Sequence, residues 1–266
     1  DMNVICIFAQ NNKKANYVQQ AVDLALSIKK FNPNESVSII TNDKVANDVF
    51  DHVIAIPDDV TSKDSWRIEN RAKVYDLTPY DQTIVFDSDV LLTHSTEQLW
   101  EKLSNKDLYF TTEVINHRGN TIVKDTIHRK TFIENNLPNI YSAFFYFKKT
   151  DKNKEFFDLL KSIVENYEEV YKVMTPSSRQ YFCSIDVSIA ICCKLKNISL
   201  EENLWPVIHM KTPLQELQRV KHWSESLLYY ANTDGLFVNN YRQYGIFHYV
   251  EKDFVNQDIK DWLCTT

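Results

Sequence analysis

Glycine is scarce: Gly119, Gly235 and Gly245 are the only three in 266 residues. A P-loop needs two glycines framing a four-residue stretch before its Lys, and a dinucleotide fingerprint needs three within six positions, so this chain can build neither. Any nucleotide it binds must have its phosphates held by side chains and a metal rather than by a glycine cradle. The five cysteines, Cys6, Cys183, Cys192, Cys193 and Cys264, are odd in number and show no C-x-x-C spacing. That argues against a disulfide framework or a zinc site and predicts reduced, mostly buried thiols. No apolar run approaches the roughly 20 residues that cross a bilayer, and no basic start leads into an apolar signal segment. The sequence therefore predicts a soluble, cytoplasmic protein. Its net charge of −6 gives no global field for a polyanion.

What is present is core-forming material: 44% hydrophobic residues, with five Trp, fourteen Tyr and fifteen Phe. This suffices for one α/β domain or a domain with an appended lobe. The strand-like run Thr83-Ile84-Val85-Phe86 ends in Asp87-Ser88-Asp89, and the chain returns at once to apolar Val90-Leu91-Leu92. Two carboxylates around one small residue at the edge of a buried strand are costly unless something cationic neutralises them. A divalent metal carrying a diphosphate meets that need. A solvated turn is the plainer reading, although turn aspartates seldom sit between two apolar runs.

Strand and helix signals alternate through the first half. Val4 to Phe8, Val37 to Ile40 and Val53 to Ile56 read as strands, and Tyr17 to Lys30 carries Val18, Ala21, Val22, Ala25 and Leu26 at helical spacing. Trp66 to Leu77 reads as a helix with Ile68, Ala72 and Tyr75 on its core face. After the Asp-Ser-Asp strand, Ser95 and Gln98 resemble a capping box for a helix ending near Leu103, and Leu108 to Val114 reads as a strand. Further on, Tyr141 to Phe147 is a strand, Asp151 to Tyr171 one charged amphipathic helix and Ile185 to Leu195 a buried helix. Past Trp205 the elements shorten and aromatics dominate. Strands separated by helices imply a mixed, mostly parallel sheet flanked by helices, with ligands at the carboxyl ends of the strands. Asp87 to Asp89 lies at such an end. With no repeat, low-complexity tract or linker, 1–266 reads as a single domain whose C-terminal portion folds back over the site.

The segment Leu77-Thr78-Pro79-Tyr80-Asp81-Gln82-Thr83-Ile84-Val85-Phe86-Asp87-Ser88-Asp89-Val90-Leu91 resembles the central segment of the glycogenin-like, retaining glycosyltransferases of the GT-A fold. Tyr17 with Ala21, Leu24, Ser27 and Lys29 is similar to that family's first helix, and Arg71 falls at its basic position sixteen residues before the first Asp. Ser142 lies in a segment similar to its Asn-Ser-Gly strand, Asp186 is at the Asp of its Asp-Gln pair, and His248 is at its C-terminal His. The departures are Tyr141 for the Asn, Ala143 for the Gly and Val187 for the Gln. The family's closing Lys-Pro-Trp gives way to His248-Tyr249-Val250-Glu251-Lys252-Asp253-Phe254, where Lys252 is the candidate to replace the diphosphate-binding Lys.

The resemblance implies an α/β, Rossmann-like GT-A fold with a nucleotide-sugar-binding half, 1–114, and an acceptor-side half, 115–266. It implies metal-dependent transfer of a sugar from a UDP-sugar to an acceptor hydroxyl, with retention. On that reading Asp87, Asp89 and His248 ligate the metal, and mixed carboxylate and imidazole ligation favours Mn²⁺ over Mg²⁺. Ala9, Gln10 and Asn11 line the nucleotide pocket, Tyr17 stacks on the base, and Arg71, Lys73, Ser88 and Lys252 meet the donor, as does Asp87 through water or the ribose. Asp186 and Arg71 are the catalytic candidates; Asp186 orients or stabilises under retention and would be the general base under inversion. Plain structural roles stand beside these: a core histidine at His248, helix packing at Tyr17, solvated charges at Arg71 and Lys73, a helix-dipole partner at Asp186.

For the acceptor, two basic stretches stand out. Asn116 to Thr131 carries Arg118, Lys124, Arg129 and Lys130 against Asp125, with His117 and His128; Lys211 to Trp223 carries Lys211, Arg219 and Lys221 against Glu216, with His222 and Trp223. Basic residues beside aromatics can track phosphates and hold an extruded base, though two solvated faces would have the same composition. A chain rich in Asn, Lys and Ile and poor in Gly resembles proteins of AT-rich genomes, including bacteriophages that glycosylate their own DNA bases. The expected acceptor is a hydroxymethylated base in DNA, reached through 116–131 and 211–223, with a saccharide or lipopolysaccharide core as the alternative. A haloacid-dehalogenase-type phosphatase would normally open on its Asp-x-Asp, and a nucleotidyltransferase would carry a Gly-rich loop where this chain has Ala9-Gln10-Asn11-Asn12. The lost Gln and Lys positions keep open an inactive, glycosyltransferase-like binding module.

Overall fold

A computed structural model describes residues 3–59, 61–62, 64, 67–122, 129–200, 203–210, 223–225 and 227–265. Strands β1 (Asn3–Phe8), β2 (Val37–Ile40), β3 (His52–Ile54) and β4 (Gln82–Asp87) run parallel in the order β3-β2-β1-β4. After the short β5 (Val90–Leu92) and after β6 (Leu108–Thr111), β7 (Tyr141–Lys148) inserts antiparallel between β4 and β6. The expected mixed, mostly parallel sheet is therefore observed. Val4 to Phe8 is apolar at every position because both faces of β1 are covered. On one side helix α1 (Tyr17–Phe31) buries Ala21, Leu24, Ala25 and Ile28 with Ile5 and Ile7, starting from Asn16, whose side chain accepts the Gln19 N–H at 3.0 Å. The opposite face carries Cys6, Val85 and Phe145, covered by helices described below.

Several boundaries differ from the sequence expectations. The helix expected over 66–77 is a 3₁₀ helix, Ile68–Lys73, that runs into α2 (Val74–Leu77); it opens at Arg67, whose backbone is left-handed at φ 54°, and Trp66 lies outside the described residues. Helix α3 (Glu97–Leu103) has Thr96 rather than Ser95 at its cap, and no capping box forms, because Thr96 Oγ1 donates to Glu35 at 2.6 Å and Ser95 Oγ to Asn32 at 2.7 Å. β6 stops at Thr111, where its register against β7 breaks. Following α4 (Lys130–Glu134), the single helix expected over 151–171 is two, α5 (Asp151–Glu165) and α6 (Tyr167–Met174). Asn166 divides them: its side-chain amide donates back to Ser162 O at 2.9 Å, competing with helical continuation. α5 and the apolar α7 (Ile185–Leu195) cover the second face of the sheet.

The C-terminal portion returns across the end of β4. β8 (Val207–His209) precedes a small antiparallel sheet of β9 (Tyr229–Asn232), β10 (Gly235–Val238) and β11 (Tyr241–Arg242), and then β12 (Ile246–His248) lies parallel to β8 and antiparallel to β5. Helix α8 (Gln257–Cys264) packs against α1 and β9, with Trp262 6.2 Å from the Phe31 ring. Cys6, Cys183, Cys192 and Cys193 are buried free thiols and Cys264 is exposed. Among the described residues no helix is long and apolar enough to cross a membrane.

Gly245 is the hinge of this return. Its φ is 148°, and a Cβ there would lie 2.5 Å from Pro206 O, inside any permitted contact. Its N–H donates to Thr93 Oγ1 at 2.8 Å and its carbonyl accepts from Thr93 Oγ1 at 3.1 Å, so β12 is fixed beside the residue that follows β5. Gly245→Ala is expected to destabilise the fold by roughly 2–4 kcal/mol in urea titration, as strain and overpacking combine. An unchanged midpoint would show that this approach is not needed.

Candidate metal centre and nucleotide cleft

β4 delivers Asp87 to the carboxyl edge of the sheet, opposite Phe8 of β1. The chain turns at Ser88, Asp89 O accepts the Tyr249 N–H at 3.1 Å, and β5 then pairs Val90 with His248. That register is why Asp87, Asp89 and His248 each offer a ligand atom within 4.8 Å of the others. His248 Nε2 lies 3.3 Å from Asp89 Oδ1, and Lys252 Nζ donates to Asp89 Oδ2 at 2.6 Å. Arg71 pairs with Asp87 Oδ1 and its Nη2 reaches Ser142 O at 3.5 Å. Ser142 N–H in turn donates to Asp186 Oδ1 at 2.9 Å. Arg71 and His248, far apart in the sequence, thus converge on the Asp87-Ser88-Asp89 turn, and Arg71 links it through Ser142 to Asp186, which lies outside the cleft's lining. Lys252 joins them from a different spacing than the family Lys, with Nζ 4.9 Å above the Tyr17 ring.

The electrostatics of the turn are polarised. Burial holds the Asp87 carboxyl above its ordinary range against the pull of Arg71, and Asp89 adds to the upward push. Burial acts on Asp89 in the same sense but loses to His248 and Lys252, which hold its carboxyl well below the usual range. The His248 imidazole, which burial alone would push down, is raised by Asp89. Two carboxylates and an imidazole, buried together, form a donor set that suits a divalent ion, and among first-row metals Mn²⁺ takes both donor types. His248 Nδ1 is buried with no hydrogen-bond partner, so the ring is anchored through its Nε2 side. Between His248 and Lys252 the chain makes a γ-turn closed by Glu251 N–H to Tyr249 O at 2.7 Å, with Val250 at φ 66°. A β-branched residue in that region is strained, and the turn it makes returns Lys252 to Asp89, where the β12 register has already placed His248.

A cleft of about 360 Å³ opens from this turn, lined by Gln10, Tyr17, Arg67, Arg71, Asp87, Ser88, Asp89, His248, Val250 and Lys252, with apolar Phe8 and Ile68. Ala9 is buried behind it, and Asn11 ties the loop after β1 to its neighbours, accepting the Val18 N–H at 2.9 Å and donating its own N–H to Asp43 at 2.7 Å. Lys73, at the end of the 3₁₀ helix, does not line the cleft.

The residues that sequence reasoning missed are Arg67 and Asp59. Arg67 is 6% exposed; its guanidinium pairs with Asp59 and donates to Thr61 Oγ1 at 2.9 Å and Asn11 O at 3.1 Å. Asp59 also accepts from Gln10 and Asn70, each at 2.8 Å, and Asn70 donates to Gln10 Oε1 at 2.8 Å. This network fixes the far rim of the cleft. Its partners lie up to sixty residues apart, as Gln10 and Asn70 do, and no local spacing signals it.

The basic segments change meaning. Arg129, expected on an acceptor-facing surface, is 8% exposed, lies 3.5 Å over the Tyr141 ring and stands 3.6 Å from Asp186. Aromatic stacking and ion pairing draw it inward. Lys130 is exposed and paired with Glu134 at 3.5 Å, Arg118 is exposed and His117 is buried. Lys124, Asp125 and His128, and in the second segment Lys211, Glu216, Arg219, Lys221 and His222, lie outside the described residues; Trp223 opens a short 3₁₀ helix, Trp223–Glu225.

No protein-family model and no curated protein matches this sequence. Solved structures do match the fold. The galactosyltransferase LgtC, in complex with donor and acceptor sugar analogues, superimposes with a TM-score of 0.56 at 13% identity, over 100% of this chain and 97% of that one. The chain has the GT-A glycosyltransferase fold. Mouse xyloside xylosyltransferase 1 gives a TM-score of 0.53 at 10% identity over 93% of this chain and 97% of its own. The glycosyltransferase GlyE of Streptococcus pneumoniae gives 0.50 at 10% identity, over 100% of this chain and 62% of its own.

The Asp59 network carries a pH signature. Burial pushes its carboxyl up, but hydrogen bonds from Thr61, Asn70 and Gln10 win and hold it well below the ordinary 3.8. A depressed carboxylate stabilises the fold above the unfolded value and loses that contribution as pH falls below it. Asp59→Asn should therefore cost about 3 kcal/mol at neutral pH, since it removes the nearest counter-ion of buried Arg67 and leaves it Asp43 at 3.8 Å. The gap from the parent should narrow below about pH 4 in chemical denaturation. A gap of equal size at pH 7 and pH 3 would contradict this reading.

Proposed function

We propose that the protein is a metal-dependent glycosyltransferase that moves a sugar from a UDP-sugar to an acceptor hydroxyl with retention of configuration. The observation that carries the reading is the Asp87, Asp89 and His248 cluster at the mouth of a cleft that also presents Arg71, Lys252 and Tyr17. A nucleotide diphosphate needs cations around its phosphates, and this chain has no glycine-rich loop to provide backbone donors. Asp87, Asp89 and His248 would hold Mn²⁺, which when bound supplies Lewis-acid stabilisation of the departing diphosphate.

The chain's own side chains supply the remainder. Lys252 sits at the cleft with its ammonium free to exchange Asp89 for a phosphate oxygen once that carboxylate serves a metal. Arg71 holds Asp87 in place and lies beside Ser142 O, where its charge opposes that developing on the leaving group. Tyr17 offers its ring, and Gln10 its amide, to the nucleoside. Asp186, tied through Oδ1 to Ser142 N–H, offers a fixed negative charge to an anomeric carbon that becomes cationic as its bond to the diphosphate breaks. UDP and retention rest on the resemblance to glycogenin-like enzymes rather than on a base-reading residue.

For the acceptor we favour a saccharide over a hydroxymethylated DNA base. The burial of Arg129 and the pairing of Lys130 with Glu134 remove two of the cations on which a DNA acceptor depends. LgtC, a fold neighbour, is solved with an acceptor sugar analogue, and the mouse neighbour is a xyloside xylosyltransferase. A thermal-shift screen of nucleotide sugars with Mn²⁺ identifies the donor by the stabilisation that binding confers. With that donor, Asp89→Ala should reduce turnover on the order of 100-fold or more while the metal-free variant still unfolds cooperatively. Turnover at the parent rate in Asp89→Ala would refute the assignment.

A further inference from the structure

Arg129 is a buried cation that the proposed chemistry does not use. It stands at the start of α4 with its guanidinium fixed three ways: 3.5 Å over the Tyr141 ring, 4.8 Å from the Phe132 ring, and bonded through Nη1 to Ile140 O at 2.7 Å. None of these contacts involves Asp186. Its free edge, Nη2, points at Asp186 Oδ2 from 3.6 Å, while Asp186 Oδ1 accepts the Ser142 N–H at 2.9 Å. One oxygen therefore accepts a hydrogen bond and the other faces a guanidinium 3.6 Å away, both from groups anchored in the same three residues of chain, Ile140 to Ser142. Among the described residues near the start of α7, no other side chain pairs with Asp186. Val187 is buried and apolar, and Ser188 is engaged by Tyr171 Oη at 2.7 Å.

We propose that Arg129 is a positioning residue that holds the Asp186 carboxylate toward the donor sugar. The proposal rests on the reading of Asp186 given above and adds the device that keeps it in place. A second arginine–aspartate pair shares the scaffold: Arg71, paired with Asp87, reaches Ser142 O at 3.5 Å, so a single residue, Ser142, lies between the two pairs. Arg129 is the only described cation paired with Asp186, so without it the carboxylate keeps the Ser142 N–H and, among the described residues, no counter-charge. Arg129 touches neither the cleft nor the metal cluster, and its influence must pass through Asp186.

The test is a double-mutant cycle read by Mn²⁺-dependent hydrolysis of UDP-galactose and UDP-glucose, together with a crystal structure of Arg129→Met. Arg129→Met should lower kcat roughly 10- to 100-fold with a smaller change in KM, and Arg129→Lys should recover part of the loss. In an Asp186→Asn background, Arg129→Met should add no further loss. The crystal structure should find Asp186 rotated off the Ser142 N–H. Losses that multiply in the double variant, or an unmoved Asp186, would overturn the proposal. Hydrolysis at the parent rate by Asp186→Asn would instead overturn the underlying role of Asp186. If Arg129→Met does not fold, Arg129→Gln keeps a donor for Ile140 O without the charge and carries the same cycle and crystal structure; if neither sugar is hydrolysed, the position of Asp186 alone decides.

Discussion

Two carboxylates on either side of a buried serine govern the architecture around the cleft. Asp87 and Asp89 could both solvate if the chain ended at β4, but β5 and β12 close over them, and charge in that setting must be answered by charge. Arg71 answers from sixteen residues upstream, and Lys252 from 163 residues downstream. His248 arrives through strand register, opposite Val90. Removing one partner of such a buried set costs about 3–5 kcal/mol, because the others are left uncompensated. The return of the C-terminal portion across the sheet edge is therefore an electrostatic requirement as much as a packing one. Gly245 makes it sterically possible by letting β12 meet Pro206 without a side chain between them.

The same arrangement, an arginine paired with an aspartate and bonded to a backbone carbonyl, recurs at and beside the cleft. Arg67 with Asp59 fixes the rim beyond β1 and Arg71 with Asp87 the centre, while Arg129 with Asp186 stands outside the lining, beyond Ser142. A fold that cannot bring glycine backbone to a phosphate needs rigid side-chain charge instead, and a guanidinium with a bonded counter-ion is more rigid than a free lysine. Lys252 is the exception, a flexible ammonium at the end of a strained turn around Val250. It is the cation best able to change partners when a ligand enters.

Much of the fold was legible because it is written locally. Continuous apolar runs gave β1, β2 and β4, the helical spacing of Ala21, Leu24 and Ile28 gave α1, and the apolar run from Ile185 gave α7. Boundaries failed where one residue decided them: the left-handed backbone of Arg67 delays the start of the segment expected from Trp66, and the Asn166 amide splits another helix in two. The antiparallel insertion of β7 left no trace, since a strand buried on both faces reads alike in either direction. The centre of the site was legible through ordered motif positions. Lys252 was harder, because its spacing from His248 differs, and its place over Tyr17 emerges only in three dimensions. Arg67, Asp59 and the inward turn of Arg129 were not legible, because charge in a sequence carries no sign of whether it faces water or a partner far along the chain.

The central claim is that the Asp87-Ser88-Asp89 turn and its basic partners bind a nucleotide diphosphate through a shared divalent ion. The most direct measurement is calorimetric titration of UDP into the protein with Mn²⁺ and again with a chelator. The account predicts binding with Mn²⁺ that weakens on the order of 10-fold or more when the metal is removed. Equal affinity in both titrations, or no UDP binding in either, would contradict it.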